Sequence, residues 1–584
     1  MRLLASLFLT SVAGAAVASA DAALYWNMTA ALLTYEEQVA AFAVQGLLNR
    51  KEDGPLLLFE VGSEDYDWPH AEPFWRQTLE KDGRLSFKTV SSSFCSLMDA
   101  SKGAYDGLVV YSSDGGLSPY GDGYSIAIAL TIAAQQSLLP ASTSMLAKHD
   151  CLAAAAIKHD LRSTLQGKTR WQAWEWAIKT LLPASSKSII YNLNHYRTPR
   201  DPTAFLQDKQ SNATLLSADY IVQQNAFVLD LESHDSAHGN NWTAPWNTDD
   251  ELIERVFAEL QPLFDAYGWA DDEFSWTNIT SHFGGTVMCS FASPNLSLWA
   301  RLKLPGGATR ARKLPTNDRG VQLNHSKYYV TFETNEGDTP RILVSAMAHA
   351  WVSEKRGSLP VAWAIDPLLA ERFPALYDYY AATATANDSF IAGTAGAGYA
   401  YLNQMSATQL DTYGKRAGAL TQLYGPHVVD TYGYANLSTH VAYAEAMAAG
   451  GAAPAAFVTQ SNWAFNFTWD YDPFHCSSDD GDNLLLADGK TPLLCTSGSP
   501  QLFYPDLSDA CPSCDLRGRI EAVAANKKPP FFIVVYGNLQ AFGGSDTESK
   551  KSFFTLLTDT VAKLDGRFEV IGAADMARLA REAL

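Results

Sequence analysis

The sequence predicts an α/β protein whose C-terminal part is a (β/α) barrel-like domain preceded by smaller α/β domains. Three observations predict it. The chain has 584 residues, enough for several domains. It is 47% apolar and only 18% charged, so it can bury a large core and is not a disordered chain. From about residue 321 onward, short apolar strands alternate with helix-compatible stretches, the pattern of a parallel sheet wrapped by helices.

In chain order, residues 1–20 carry a basic Arg2, an apolar run and the small-residue site Ala18-Ser19-Ala20, which predicts a cleaved secretory signal. The expected destination is therefore the secretory pathway or the outside of the cell. Later segments lack a long apolar span, so no integral membrane anchor is expected. Residues 21–145 read as a first α/β domain, with a helix from Glu36 to Asn49, strands at Leu56–Glu60 and Gly107–Tyr111, and a helix at Ser125–Ser137. Residues 146–320 read as a second. It holds a helix containing Trp171, Trp174 and Trp176, strands at Ser188–Tyr191 and Ala226–Leu231, a long helix from Thr248 to Tyr267, and a Gly- and Arg-rich linker ending at Gly320.

Residues 321–584 form the barrel-like part. Its strands are expected at Tyr328–Glu333, Pro360–Ile365, Ser389–Gly393, His427–Thr431, Ala455–Gln460, Phe531–Tyr536 and Phe568–Ile571. Helices are expected between most of them, at 341–356, 367–382, 404–423, 437–449 and 547–564. The stretch 464–515 breaks the rhythm and reads as an elaboration over one face.

Composition narrows the partners. Lys plus Arg is 43 against 63 Asp plus Glu, a net charge of −20, which repels nucleic acid. Nine Asn-X-Ser/Thr sequons begin at Asn27, Asn212, Asn241, Asn278, Asn295, Asn324, Asn387, Asn436 and Asn466, so glycosylated surface loops are expected. Cys95, Cys151, Cys289, Cys476, Cys495, Cys511 and Cys514 should mostly pair after export, with Cys476–Cys495 and Cys511–Cys514 the economical pairing of the last four.

Chemistry in such a domain belongs at the C-terminal ends of the strands. Glu333, Glu336 and Asp338 follow the first strand and Asp366 the second. The third leads into Gly396-Ala397-Gly398-Tyr399-Ala400-Tyr401. The fourth ends at Asp430, with Tyr432 and Tyr434 next, the fifth leads to Asn462 and Trp463, and the sixth to Asn538. Acids, amides and aromatics on one rim suit a carbohydrate. Glycoside cleavage needs one protonated and one ionised carboxyl across the bond, aromatic faces pack on sugar C–H surfaces, and amides meet hydroxyls. Solvated loop acids and a Gly turn packed under two core tyrosines would account for the same residues.

The run GAGYAY at Gly396–Tyr401, its upstream segment from Arg356 to Phe390, QGLLNR at Gln45–Arg50 and KYYVTFETNEGD at Lys327–Asp338 resemble the GxGYxYP family of putative glycoside hydrolases. The resemblance implies smaller N-terminal domains followed by a barrel-like domain related to glycosidases and carbohydrate deacetylases. Two positions depart from the family pattern. Leu402 replaces the closing Pro, and Glu336-Gly337-Asp338-Thr339 stands where an Asp-Gly-Asp-Asn run is usual.

The expected function is a secreted hydrolase of oligosaccharides or polysaccharides that needs no cofactor or metal. Glu336, Asp338 and Asp366 are its candidate acids, with Glu333 in reserve. Tyr399, Tyr401, Asp430, Trp463 and Asn538 would line the cleft. Two alternatives stay open: a metal-dependent carbohydrate deacetylase, for which Asp230, His234 and His238 have usable ligand types, and a non-catalytic sugar-binding glycoprotein. The sequence has no G-x-S-x-G elbow and no GxxxxGK[ST] loop, which disfavours serine-hydrolase and phosphoryl chemistry.

Overall fold

The structure, a computed structural model, describes residues 21–61, 71–112, 124–193, 214–231, 248–268, 273–334, 337–431, 435–459, 483–495, 501–502, 516–537, 539 and 553–584. The N-terminal half holds three small parallel sheets. In the first, Asp21–Asn27 is the middle strand between Leu56–Glu60 and Leu85–Thr89. In the second, Leu108–Tyr111 lies between Leu139–Ser142 and Ile157–Asp160, so this sheet joins strands from both sides of position 146. The third runs Thr286–Cys289, Asp265–Gly268, Ile189–Asn192, Phe227–Leu229. Its members are apolar on both faces, as parallel strands covered from both sides must be.

The helix Tyr35–Asn49 opens on a capping box between Thr34 and Glu37 and is buried all round from Val39 onward. Its C-terminal end explains the QGLLNR run. Gln45 donates to Leu57 O and to Asn295 Oδ1, Asn49 donates to Leu57 O and to Ser297 Oγ, and Arg50 donates to the carbonyls of Ala134 and Gln223. These side chains tie the first sheet to the next two. The helix expected over Thr248–Tyr267 stops at Phe257, and Asp265–Gly268 is an inner strand of the third sheet. Pro262 is the cause, since it offers no N–H and pushes Gln261 out of the helical region.

The C-terminal half is built on the strand Tyr328–Thr334. Val361–Ala364 flanks it on one side and Phe531–Gly537 on the other, Phe568–Val570 pairs with its first half, and Asp388–Ile391 and Gln501–Leu502 lie outermost. A second sheet holds Val428–Thr431, Ala456–Thr459, Pro492–Cys495 and the short antiparallel Leu484–Leu485. One parallel bridge, Ala392 to Val429, links the two sheets, and among the described residues the ladder does not close into a ring. The α/β alternation is thus present as parallel sheets. Part of the stretch read as an elaboration is itself a strand, because Pro492–Cys495 pairs with Ala456–Thr459.

Alternation along these strands sorts the core. Tyr329, Ala362, Ile391, Val428, Ala456, Val458, Leu494, Phe532 and Val534 share one cluster with Ile571, Met576 and Leu579 of the C-terminal segment. Their neighbours Tyr328, Val330, Trp363, Phe390, Val429, Phe457 and Ile533 belong to the larger core. The helix Ala573–Ala583 lies against the beginnings of the strands, where Ala573 N–H donates to Ser389 Oγ at 3.0 Å. Buried Asp575 accepts from the Arg319 and Val321 backbone, which laces the linker to the domain. The opposite strand ends are left for the site.

Candidate functional site

Two carboxyl groups lie at those ends. Glu333 continues the face of Tyr329 and Thr331, and Asp430 continues that of Val428, so period-two alternation turns both toward the cluster shared by the two sheets. Both are buried, Glu333 at 1% exposure and Asp430 at 0%. Neither oxygen of Glu333 has a hydrogen-bond partner among the described residues. Burial first, and then the charge of Asp430, push the Glu333 carboxyl well above the ordinary carboxylate range. The arrangement can hold one proton beside a second, ionisable acid. Thr394 Oγ, buried just past the Asp388–Ile391 strand, also lacks a partner among the described residues.

Asp366 takes a different place. It is buried and accepts from Leu368 N–H at 2.8 Å. Burial raises its pKa to about 7, against the lowering effect of nearby backbone N–H groups. The glycine-rich run follows the neighbouring strand, Asp388–Ile391. Ala395, Gly396 and Gly398 have φ of 67°, 89° and 96°, and a Cβ on Gly398 would stand 2.4 Å from Thr286 Oγ1. Tyr413 accepts from Ala397 N–H at 3.1 Å and donates to Gly398 O at 2.7 Å, and Tyr443 donates to Ala395 O. Tyr399 exchanges both backbone hydrogen bonds with Val287 of the third sheet, at 2.8 and 3.0 Å. Tyr399 and Tyr401 are buried, edge to face at 5.7 Å, with hydroxyls 3.3 Å apart, and Tyr401 N–H donates to Ser281 Oγ.

Asp338 is partly exposed and pairs with Arg341 at 2.7 Å, whose guanidinium also lies over the Phe291 ring. Glu336, Tyr432, Tyr434, Asn462, Trp463 and Asn538 lie outside the described residues, as do His234 and His238. Asp230 is buried, and its carbonyl accepts from Arg170. Of the acids expected from sequence, the structure thus sets Glu333 within reach of the Asp430 charge, gives Asp366 to the Leu368 N–H, and leaves Asp338 with Arg341. Tyr413 and Tyr443 were not singled out by sequence, because two tyrosines on separate helices carry no local signal of a shared loop.

Other expectations can be placed as well. Cys95 and Cys151 form a disulfide, and Cys289 is buried as a thiol. The proposed pairs among Cys476, Cys495, Cys511 and Cys514 involve side chains outside the described residues. Asn295 is an exception to the sequons expected on surface loops. It is buried, and its amide is spent on Gln45 and on both backbone groups of Phe59. No described helix is long and apolar enough to cross a membrane.

Residues 202–301 match the family model described as the GxGYxYP third domain. Residues 326–475 match the one described as the GxGYxYP putative glycoside hydrolase C-terminal domain. The second match contains Glu333, Asp366, the GAGYAY run and Asp430. A crystal structure of a putative hydrolase from Bacteroides thetaiotaomicron VPI-5482 is similar, with a TM-score of 0.71 and 16% identity over 97% of this chain and 96% of that one. At that identity the likeness concerns the fold alone. No curated protein matches the chain.

Proposed function

Because the chain belongs, through its third and C-terminal domains, to the GxGYxYP family of putative glycoside hydrolases, we propose that it cleaves glycosidic bonds with Glu333 and Asp430 as its two carboxyl groups. One observation carries this reading. An acid without a hydrogen-bond partner among the described residues is buried at a strand end, facing the charge of a second acid. Burying a carboxyl unpaired costs free energy, and a fold that keeps one there holds it protonated. Glu333 then supplies the proton to the departing sugar oxygen, while Asp430, ionised, acts as base or nucleophile on the other face of the ring.

The two parallel sheets are read as walls of one barrel-like domain whose strand ends open on the substrate. Trp463, Asn538 and Glu336, on the segments that follow those strands, are the proposed contacts with an oligosaccharide or polysaccharide, and the leader at 1–20 would export the protein to meet it. The test is turnover of an oligosaccharide panel by the native protein beside Glu333→Gln and Asp430→Asn. Each variant is expected to lose about 10²- to 10⁴-fold in kcat. Unchanged turnover in either variant would remove that residue from the mechanism.

A further inference from the structure

His440 and Tyr443 stand three residues apart on the helix Leu437–Gly450 and so share one of its faces. That face meets the end of the Val428–Thr431 strand. His440 Nε2 lies 3.0 Å from Thr431 Oγ1, and its Nδ1 lies 3.0 Å from Asn436 O. A carbonyl oxygen can only accept, so Nδ1 carries the proton and Nε2 accepts from the threonine hydroxyl. Val458 O, at 3.3 Å, is that hydroxyl's more distant acceptor. Burial lowers the pKa of His440 to about 4, so the ring is neutral at neutral pH and the pattern holds.

Tyr443 reaches the other side of Asp430 through the glycine-rich run. Its hydroxyl donates to Ala395 O, and Ala395 N–H donates to Asp430 O at 2.6 Å, while Asp430 N–H donates to Ala392 O at 3.0 Å. Ala395 has φ 67°, a left-handed conformation that a residue with a Cβ does not keep without support. The phenol supplies that support at Ala395 itself. Both rings also pack on Phe457, His440 at 5.2 Å and Tyr443 at 5.8 Å, and Phe457 pairs with Val429, the residue before Asp430.

We propose that His440 and Tyr443 are positioning residues: from one helix face they fix the backbone around Asp430, His440 through Thr431 and Tyr443 through Ala395, and so set where the Asp430 carboxyl stands. A helix that merely covered the sheet would do so with apolar side chains. Burying an imidazole and a phenol costs desolvation that leucine or phenylalanine avoids, so what these two add is direction rather than cover.

The catalytic consequence rests on the reading of Asp430 given above, whereas the hold on its backbone does not. The test is therefore made in two arms. Tyr443→Phe and Thr431→Val each delete one hydroxyl at nearly constant volume. Amide hydrogen exchange is expected to quicken about 10-fold or more, at Ala395 and Asp430 in the first variant and at Asp430 and position 431 in the second. The Phe531–Gly537 strand, unchanged, measures the stability of the domain. His440→Ala is expected to match Thr431→Val, and His440→Gln, which keeps an acceptor near the threonine hydroxyl, to return toward native rates. Native exchange at Asp430 in both hydroxyl deletions would overturn the proposal, whatever the protein acts on; should one fold poorly, the other decides.

In the second arm, an oligosaccharide turned over by the native protein is assayed with the same two variants. A fall of about 10- to 100-fold in kcat is expected, with KM within about twofold and both limbs of the pH profile in place. Unchanged kcat where exchange has quickened would show that Asp430 needs no such hold, and a lost limb in Tyr443→Phe would make that hydroxyl a proton donor. Either result overturns the positioning role. If the native protein cleaves no glycan, that failure belongs to the proposed function and the exchange arm alone decides.

Discussion

At Glu333 the folded chain keeps a proton that the unfolded chain gives up near its ordinary pKa of 4.5. The native state then binds more protons than the unfolded state above that pH, and stability falls as pH rises from there toward the raised native value. Glu333→Gln removes this titration. Relative to native protein, the melting temperature of the variant is expected to climb between about pH 4.5 and 7, and thermal unfolding at several pH values reads it. A gap independent of pH would show that Glu333 ionises freely in the fold. In the sequence, Glu336, Asp338 and Asp366 are the first candidates and Glu333 the reserve. The pairing of Glu333 with Asp430 follows from both continuing the inward face of their strands, a parity visible in the sequence. The hold of Tyr413 on Ala397 and Gly398 depends on how a helix meets a loop, which no pattern of residue types records.

Between elements, a close fit is that of the helices Ala407–Tyr424 and Leu437–Gly450, which bring Tyr413 and Tyr443 to the loop. A Cβ on Gly418 would stand 2.0 Å from Met447 O, and one on Gly414 would stand 2.5 Å from the Ala446 Cβ. In an exposed helix, alanine would gain about 1 kcal/mol over glycine. Here the overlap is with backbone, which cannot turn aside. Gly418→Ala is expected to lower stability by about 1–3 kcal/mol in denaturant unfolding, and a stabilised variant would mean that the helices are free to part. Elements were legible where one signal acted alone. Leu56–Glu60, with its unbroken apolar run, has the bounds expected of it. Asp21–Asn27 has no β-branched residue, and Leu139–Ser142 contains a proline tolerated because that strand is at an edge, so neither announces itself.

Across the whole molecule, two sets of carboxyl groups pull stability in opposite directions. Asp219 and Asp366 are raised to about 7 and Glu333 further above its norm, chiefly by burial, so each favours the folded state most at low pH and loses that contribution on the way to neutrality. Glu37 is lowered because Lys148, the Thr34 backbone and His149 outweigh its burial. Asp488 is lowered by Thr491 and the backbone N–H groups that it accepts from. These two favour the fold above their ordinary pKa values and lose that contribution as pH falls through the lowered ones. A net charge of −20 adds repulsion as the remaining acids ionise. The melting temperature is therefore expected to peak on the acid side, near pH 5, in scans from about pH 3 to 9, and a maximum at pH 8 or above would refute this balance.

The helix Ala573–Ala583 seals the inner cluster from below, although it comes after the described strands of both sheets in the chain. Tyr329, Phe532 and Val534 are synthesised before it, so their apolar sides stay uncovered until it docks. A polypeptide cut short before Ala573 never gains that cover and keeps a sticky apolar face in its place.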